Sequence, residues 1–138
     1  MRLLFALILL GGTIPPPPTV RVTVRLLDVR ADKGGVIHAA FHIAPGDDFP
    51  GPSRIGNQDV RPVAPETVMV FDVEPGIYAV AVHHDANANG KVDKNFFGVP
   101  REGYAISNDP RARLRPPRFS EAQVAITRDT TLTLHMSY

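Results

Sequence analysis

The stretch "HHDANANGKVDKNFFG", residues 83–98, places oxygen-bearing side chains at alternate positions around a glycine. Hard cations such as Ca²⁺ take roughly six to eight oxygen ligands, which a chain supplies by curling tightly with every second side chain turned inward. Gly90 stands where such a loop bends most sharply. The stretch therefore predicts a calcium loop whose ligands are Asp85, Asn87, Asn89, the carbonyl of Lys91, and Asp93.

The predicted loop lacks its usual last ligand. Phe96 stands where a bidentate Glu normally closes the shell, and Lys91 and Lys94 offset much of the negative charge. We expect a weak site, with a Kd of roughly 10⁻⁴ to 10⁻³ M, unless a remote carboxylate such as Glu102 or Asp109 folds back. Glu102 is the stronger candidate because the turn residues on both sides of it would fix where it points.

The same residues also suit a simple turn. Asn and Asp side chains bond backbone groups two residues on and tolerate left-handed conformations, and Asn89-Gly90 is a strong hairpin signal. Residue types alone leave both interpretations open: a calcium loop or an Asx-rich hairpin.

His83 and His84 precede this loop on a predicted strand. Neighbouring residues of a strand face opposite sides, so the two cannot chelate one ion together, although either could join His38, His42 or His135 from another strand. Either could instead act as a general base oriented by a loop carboxylate, with the basic segment 111–118 holding an anionic substrate. This second hypothesis is a small extracytoplasmic hydrolase.

Period-two alternation predicts the strands that must carry these residues. Val20–Leu26, Val36–Ile43 and Glu66–Val73 alternate or are rich in β-branched residues, and Tyr78, Val80 and Val82 oppose three apolar neighbours. A strand that is apolar on both faces belongs in the middle of a sheet. The sequence predicts an all-β fold, an antiparallel β-sandwich of immunoglobulin-like or prealbumin-like type with about seven strands.

Turn residues between these runs predict three hairpins. They lie across "ADKGG", across Pro75-Gly76 and across Arg128-Asp129. The segment 44–65 predicts a long surface loop with one short strand at 60–63, and 96–119 predicts a second long loop.

The N-terminus "MRLLFALILLGG" has the order of a secretory signal. One positive charge precedes an apolar stretch from Leu3 to Leu10, then small residues and the prolines 15–18. The apolar stretch is far shorter than the ~20 residues of a membrane span. We assign residues 1–18 to a signal peptide with a Pro-rich start and residues 19–138 to a single β-sandwich domain.

Composition narrows the function further. The chain has no cysteine, which excludes thiol catalysis and zinc-thiolate sites. Without Arg2, 14 of the 15 basic residues remain against 14 acidic ones, so no net charge steers the domain to nucleic acid or to a membrane. We expect no nucleic-acid partner, no stable membrane span, and an unknown protein or envelope ligand as partner.

The stretch "YAVAVHHDANANGKVDKNFFGVPREGYAISND", followed by "PPRFSEAQVAI", resembles a family of exported bacterial proteins catalogued as domain of unknown function 2141. The shared features are the Y-x-V-x-V strand, the spaced loop residues and the Glu102-Gly103-Tyr104 turn. The resemblance implies an exported, periplasmic or extracellular β-sandwich and brings no activity with it.

The corner "EPGIYAVAV" is also similar to prealbumin-like modules of secreted proteins, which mostly bind or scaffold. Transthyretin-like hydrolases share that fold, but this chain ends "HMSY" and lacks their Y-R-G-S tail. We therefore expect a non-enzymatic binding or structural module, with the hydrolase as the alternative.

Overall fold

A computed structural model describes residues 14–45, 48–51, 56–94, 101–110 and 115–138. These residues form eight strands, one more than the approximate number predicted. A 3₁₀ turn at Ala31–Lys33 and a single helical turn, α1, at Phe119–Ala122 complete the regular structure of the described ranges. The strands are β1 Val20–Leu27, β2 Val36–Ile43, β3 Asn57–Val60, β4 Glu66–Val73, β5 Gly76–Asp85, β6 Gly103–Ile106, β7 Val124–Ile126 and β8 Thr130–His135.

The strands form two sheets. The smaller sheet has the order β4-β1-β8, and the larger one has the order β3-β2-β5, with β6 and β7 on the far edge of β5. All pairs are antiparallel except β1 with β8, which is parallel. The predicted all-β sandwich is confirmed, and the smaller sheet is mixed rather than purely antiparallel.

The core lies between the inner faces of the sheets, as the period-two pattern requires. Val22, Val24 and Leu26 of β1 are fully buried and belong to one apolar cluster with Phe41 of β2 and Val80 of β5. Each such side chain removed from water contributes about 1.5–3 kcal/mol before the cost of ordering the chain. The alternation of β1 thus fixes which of its faces joins the core.

All three predicted hairpins are wrong. The strands on either side of "ADKGG", Pro75-Gly76 and Arg128-Asp129 lie in different sheets, so each turn crosses the sandwich. β1 pairs with β4 and β8, not with β2. Alternation states which face of a strand is buried, but it does not state which strand becomes its neighbour. The short strand predicted at 60–63 lies instead at Asn57–Val60.

The prediction that β5 is central is confirmed. β2 pairs with one of its edges along eight residues, and β6 and β7 share the other edge. On the outer face, Ala79 and Ala81 are buried, and α1 packs against β5. One helical turn is too short to produce a 3.6-residue period, so the sequence did not reveal α1.

Part of the sequence-based prediction lies outside the described residues. Residues 1–13 of the predicted signal, residues 95–100 of the second long loop and residues 111–114 of the basic segment belong to this part. β6 lies inside the segment 96–119 that was predicted to be a loop. Of the helical segments in the described ranges, none has the length and apolar character needed to span a membrane.

Candidate functional site

The predicted loop begins at the last residue of β5. Asp85 is 1% exposed, and its two carboxylate oxygens accept hydrogen bonds from the backbone N–H of Asn89 (3.1 Å) and of Gly90 (2.7 Å). Gly90 has φ +73°, a conformation that glycine adopts without strain. Asp85 therefore folds the loop back on itself.

The charge of Asp85 is set by opposing effects. Burial acts to raise the pKa of this carboxyl, whereas the N–H groups of Gly90 and Asn89 and the ring of His38 lower it, and the net shift is downward. The side chain is thus an ionised carboxylate whose charge is already stabilised by backbone donors.

Three further loop side chains converge on one point. The Oδ2 of Asp93 accepts hydrogen bonds from the Nδ2 of Asn87 (2.7 Å) and of Asn89 (3.1 Å). The Oδ1 of Asn87 accepts the N–H of Asn89, and the Oδ1 of Asn89 accepts the N–H of Lys91. These are the local bonds of the Asx-rich turn, so the loop satisfies its own polar groups.

Glu102, the remote carboxylate singled out from sequence, lies against this loop. It is 9% exposed; its Oε1 accepts the N–H of Ala86 (3.0 Å), and its Oε2 accepts the N–H of Asp93 (3.3 Å). Because β6 runs antiparallel to β5, Glu102 just before β6 reaches the loop, whereas Asp109 beyond the other end of β6 is exposed. Glu102 thus joins the beginning and the end of the loop.

The six predicted ligands divide into groups. Asn87, Asn89 and Asp93 converge, whereas Asp85 and Glu102 direct their carboxylates at backbone N–H groups. Lys91 contributes an N–H to Asn89. Within the described ranges, no set of three or more His, Asp or Glu side chains is arranged to hold a metal ion.

His84 cannot be the general base that the hydrolase hypothesis allowed. It is fully buried, with Nε2 2.7 Å from the carbonyl oxygen of Gly34 and Nδ1 2.8 Å from the hydroxyl of Tyr138. A carbonyl only accepts, so Nε2 carries the proton and Nδ1 accepts from the hydroxyl. Both ring nitrogens are therefore occupied.

His83 faces the opposite side of β5, as strand alternation requires. Its side chain is 17% exposed, and its Nε2 lies 2.9 Å from the Oε2 of Glu102. Opposite it on β2 is His38, whose ring stacks on that of His83 at 6.1 Å and whose Nδ1 lies 2.7 Å from Asp59. The sequence offered His38, His42 and His135 as possible neighbours of His83 or His84, and the register of β2 and β5 selects His38 for His83.

A cavity of about 470 Å³ opens beside the loop. Its walls include side chains of the loop, of the residues on either side of segment 95–100, and of the 3₁₀ turn. Those with polar groups are Lys33, Asn87, Asp93, Lys94, Arg101 and Glu102.

The 3₁₀ turn reaches the cavity because of a glycine. Gly35 has φ +75°, and a Cβ placed on it would lie 2.0 Å from the backbone oxygen of Asp85 and 2.7 Å from the Cα of Ala86. Only a residue without a side chain allows the backbone after the 3₁₀ turn to pack so closely on the start of the loop. Lys33 is thereby held next to residues more than fifty positions away.

The structure describes only part of the basic segment 111–118. Arg111 and Arg113 lie outside the described residues, while Arg115 forms a two-pronged ion pair with Glu121 of α1 at 2.7 and 2.9 Å. This pairing, with the N–H of Arg118, lowers the pKa of Glu121 to about 2. Arg115 is therefore committed to α1.

Comparison with known proteins gives one result. A family model described as "uncharacterized protein conserved in bacteria", domain of unknown function 2141, matches residues 24–133. This range extends from β1 to β8 and includes the loop and Glu102. No curated protein and no solved structure matches the sequence.

Proposed function

This chain belongs to the family of uncharacterised conserved bacterial proteins catalogued as domain of unknown function 2141, and on that premise we propose that it is a non-enzymatic binding module. The binding surface in this proposal is the loop Asp85–Asp93 together with Glu102. The family description assigns no activity, so the proposal rests on the geometry of the loop.

One observation carries the proposal. The buried carboxylate of Glu102 accepts backbone N–H groups from Ala86 and Asp93, which are the two ends of the loop. Hydrogen bonds to a charged acceptor contribute about 1.5–3 kcal/mol, enough to hold the loop in one shape without a ligand. A preformed surface loses less entropy when it binds a partner.

We further propose that the loop takes Ca²⁺ weakly. The converging side chains of Asn87, Asn89 and Asp93 support this, because rotating each amide by half a turn would present its oxygen in place of its NH₂ group. Only one carboxylate lies at this point, and Lys91 and Lys94 are close in sequence. The expected Kd is therefore roughly 10⁻⁴ to 10⁻³ M.

A calcium titration of the full chain tests this proposal. With Ca²⁺ at about ten to one hundred times this Kd, we expect the melting temperature to rise by roughly 4–10 °C. The variant Asp93→Asn should lose most of this rise. The control Asp72→Asn should keep it, because Asp72 is an exposed carboxylate that pairs with Arg21 within the smaller sheet, away from the loop. An unchanged melting temperature would remove calcium from the proposal.

Export is also part of the proposal, on the evidence of the N-terminal sequence pattern. Expression of the whole sequence in a bacterium and sequencing of the mature N-terminus would test it. We expect a chain that begins near Ile14 and is recovered outside the cytoplasm. An uncleaved cytoplasmic chain would contradict this expectation.

One observation favours a second candidate, a hydrolase that uses His83. A carboxylate that holds an imidazole, as Glu102 holds His83 at 2.9 Å, is a common arrangement for a general base. Assays of the full chain with 4-nitrophenyl acetate and 4-nitrophenyl phosphate separate the candidates. Turnover that disappears in His83→Gln and persists in His135→Gln would establish the enzyme, and the binding module predicts no turnover.

A further inference from the structure

The acidic side chains on the cavity wall have hydrogen-bond partners, whereas the basic ones have no ion-pair partner within the described ranges. Glu102 accepts hydrogen bonds from Ala86 and Asp93, and the carboxylate of Asp93 accepts the amides of two asparagines. Both acids on the cavity wall are thus stabilised by the protein's own donors. The cations on the same wall are Lys33, Lys94 and Arg101, and none of them has an ion-pair partner within the described ranges.

The fold places these three cations on the wall of one cavity. The N–H of Arg101 donates to the carbonyl oxygen of Asp93 at 2.8 Å, which places Arg101 beside Lys94. Lys33 arrives from the opposite side through the close approach at Gly35. Its Nζ lies 6.0 Å from the ring centre of Tyr138, a distance at which a cation–π contact is weak.

We propose that the cavity binds a small polyanion that carries oxyanion groups, held by Lys33, Lys94 and Arg101. This inference rests on the proposed binding function, because it names the class of ligand for the same surface. The three cations outnumber the two carboxylates on this wall, and both carboxylates already accept hydrogen bonds from the protein. An oxyanion group that lies between the cations reduces their mutual repulsion. The guanidinium of Arg101 offers paired donors that match a carboxylate or a phosphate.

The size and lining of the cavity agree with this ligand class. A volume of about 470 Å³ lies within the range of roughly 300–1,000 Å³ that is usual for small-molecule sites. Ala86 is the sole residue without a polar side chain among those that line it in the described structure. A charged ligand therefore suits the cavity better than an apolar one.

The proposal is tested by following amide chemical shifts of the full chain during two titrations, one with inorganic phosphate and one with citrate. Both are run at constant ionic strength in buffer freed of divalent cations, with chloride as the reference anion. We expect saturable shifts at Lys33, Lys94 and Arg101. Comparison of the two anions separates preference for a phosphate from preference for a carboxylate ligand.

Substitutions show which cations hold the anion. Lys33→Gln, Lys94→Gln and Arg101→Gln should each weaken binding about two- to fivefold, the loss expected for one exposed ion pair. Arg128→Gln, at an exposed arginine in the turn between β7 and β8 and not on the cavity wall, should leave affinity unchanged. Equal losses in all four variants, or shifts no larger than those with chloride, would overturn the proposal.

The experiments distinguish an incorrect polyanion site from an incorrect binding function. If Ca²⁺ stabilises the protein and neither anion binds, the polyanion site is wrong and the binding module stands. If an anion binds as described and turnover dependent on His83 is found, the cavity is correct and the non-enzymatic function is wrong.

Discussion

Asp85, Asp93 and Glu102 are chemically similar, yet the structure gives each a different role. Asp85 accepts the N–H of Gly90 at the bend of the loop, and Glu102 accepts N–H groups near both ends of the loop. Asp93 accepts hydrogen bonds from the side-chain amides of two asparagines. Asp93 alone directs its carboxylate at side chains that could exchange a donor for an oxygen ligand. The calcium proposal therefore depends on Asp93 more than on the other two.

Gly35→Ala should strongly destabilise the protein. Its Cβ would overlap backbone atoms of Asp85 and Ala86, and φ +75° is strained for alanine. We expect a loss of roughly 2–4 kcal/mol in the free energy of unfolding, measured by urea denaturation. Gly34→Ala is the matched control, because Gly34 also has positive φ (φ +66°, ψ −149°) but open space around it, and should cost less, about 1–3 kcal/mol from backbone strain alone. Equal losses in both variants would contradict the close approach.

His42 should make stability depend on pH. It is 3% exposed on the outer face of β2, its Nε2 has no hydrogen-bond partner among the described residues, and its ring packs edge-on against Phe49 at 5.1 Å. Burial lowers the pKa of this imidazole from its ordinary 6.5, and Asp48 and the backbone of Gly51 oppose the shift only in part.

Because the pKa of His42 is lower in the folded state, the protein loses stability as the pH falls. As pH falls below 6.5, His42 of the unfolded chain takes up a proton before His42 of the folded chain does. The free energy of unfolding therefore decreases as pH falls, and the decrease ends below the pKa of the folded state. Unfolding free energies measured between neutral and mildly acid pH should decline in the wild type and decline less in His42→Phe. His135→Gln, at an exposed histidine, should keep the decline of the wild type. Identical profiles for wild type and His42→Phe would show that His42 is not responsible.

At the level of elements, the central strand β5 organises both the core and the site. Its inner face supplies Tyr78, Val80 and Val82 to the core, and its last residue begins the loop. On the outer face, the hydroxyl of Ser107, after β6, accepts the N–H of Val80 (2.9 Å) and donates to the carbonyl oxygen of Ala122 in α1 (2.5 Å). One side chain thus links two strands and the helical turn.

Ser107→Ala should loosen this link. It would leave the buried N–H of Val80 and the carbonyl of Ala122 without their partner, at a cost of roughly 2–4 kcal/mol. Chemical denaturation measures the loss, and hydrogen exchange at the Val80 amide should accelerate. The control Ser137→Ala, at an exposed serine, should change neither. Unaltered exchange at Val80 would mean that the link does not hold α1 in place.

At the level of the whole molecule, the C-terminal residue connects the two sheets. Tyr138 follows β8 of the smaller sheet, and its hydroxyl donates to Nδ1 of His84 on β5 and accepts the N–H of Arg30. His84 in turn donates to the carbonyl oxygen of Gly34, so the chain between β1 and β2 is held by both sheets. The network adjoins the candidate site, because His84 precedes the loop and Gly34 follows Lys33 of the cavity wall.

Tyr138→Phe should destabilise the sandwich by roughly 1–3 kcal/mol, because it leaves the buried Nδ1 of His84 without a donor. Thermal or chemical unfolding of the full chain measures this change. Tyr104→Phe removes a hydroxyl from an exposed tyrosine and should be nearly neutral. Equal stability of the two variants would show that the network does not stabilise the fold.

The sequence by itself determined the positions of most strands, the central place of β5 and the turn-forming character of the Asp85–Asp93 loop. Each of these follows from information within a short window: alternation decides which face of Val20–Leu27 is buried, and the residue types of the loop decide that it bends at Gly90. Even the proximity of Glu102 could be proposed from the turn residues around it.

Only the tertiary structure decided which strands pair and which charges meet. The same turn residues suit a hairpin within one sheet and a connection from one sheet to the other, because both arrangements bury the same strand face. For this reason the sequence predicts three hairpins at turns where the chain passes between the sheets. The pairing of His38 with His83 depends on the register of β2 and β5. The presence of Lys33 and Arg101 on one cavity wall depends on the close packing that Gly35 allows. Contacts between residues this far apart in sequence are set by packing of the whole core, which no local pattern encodes.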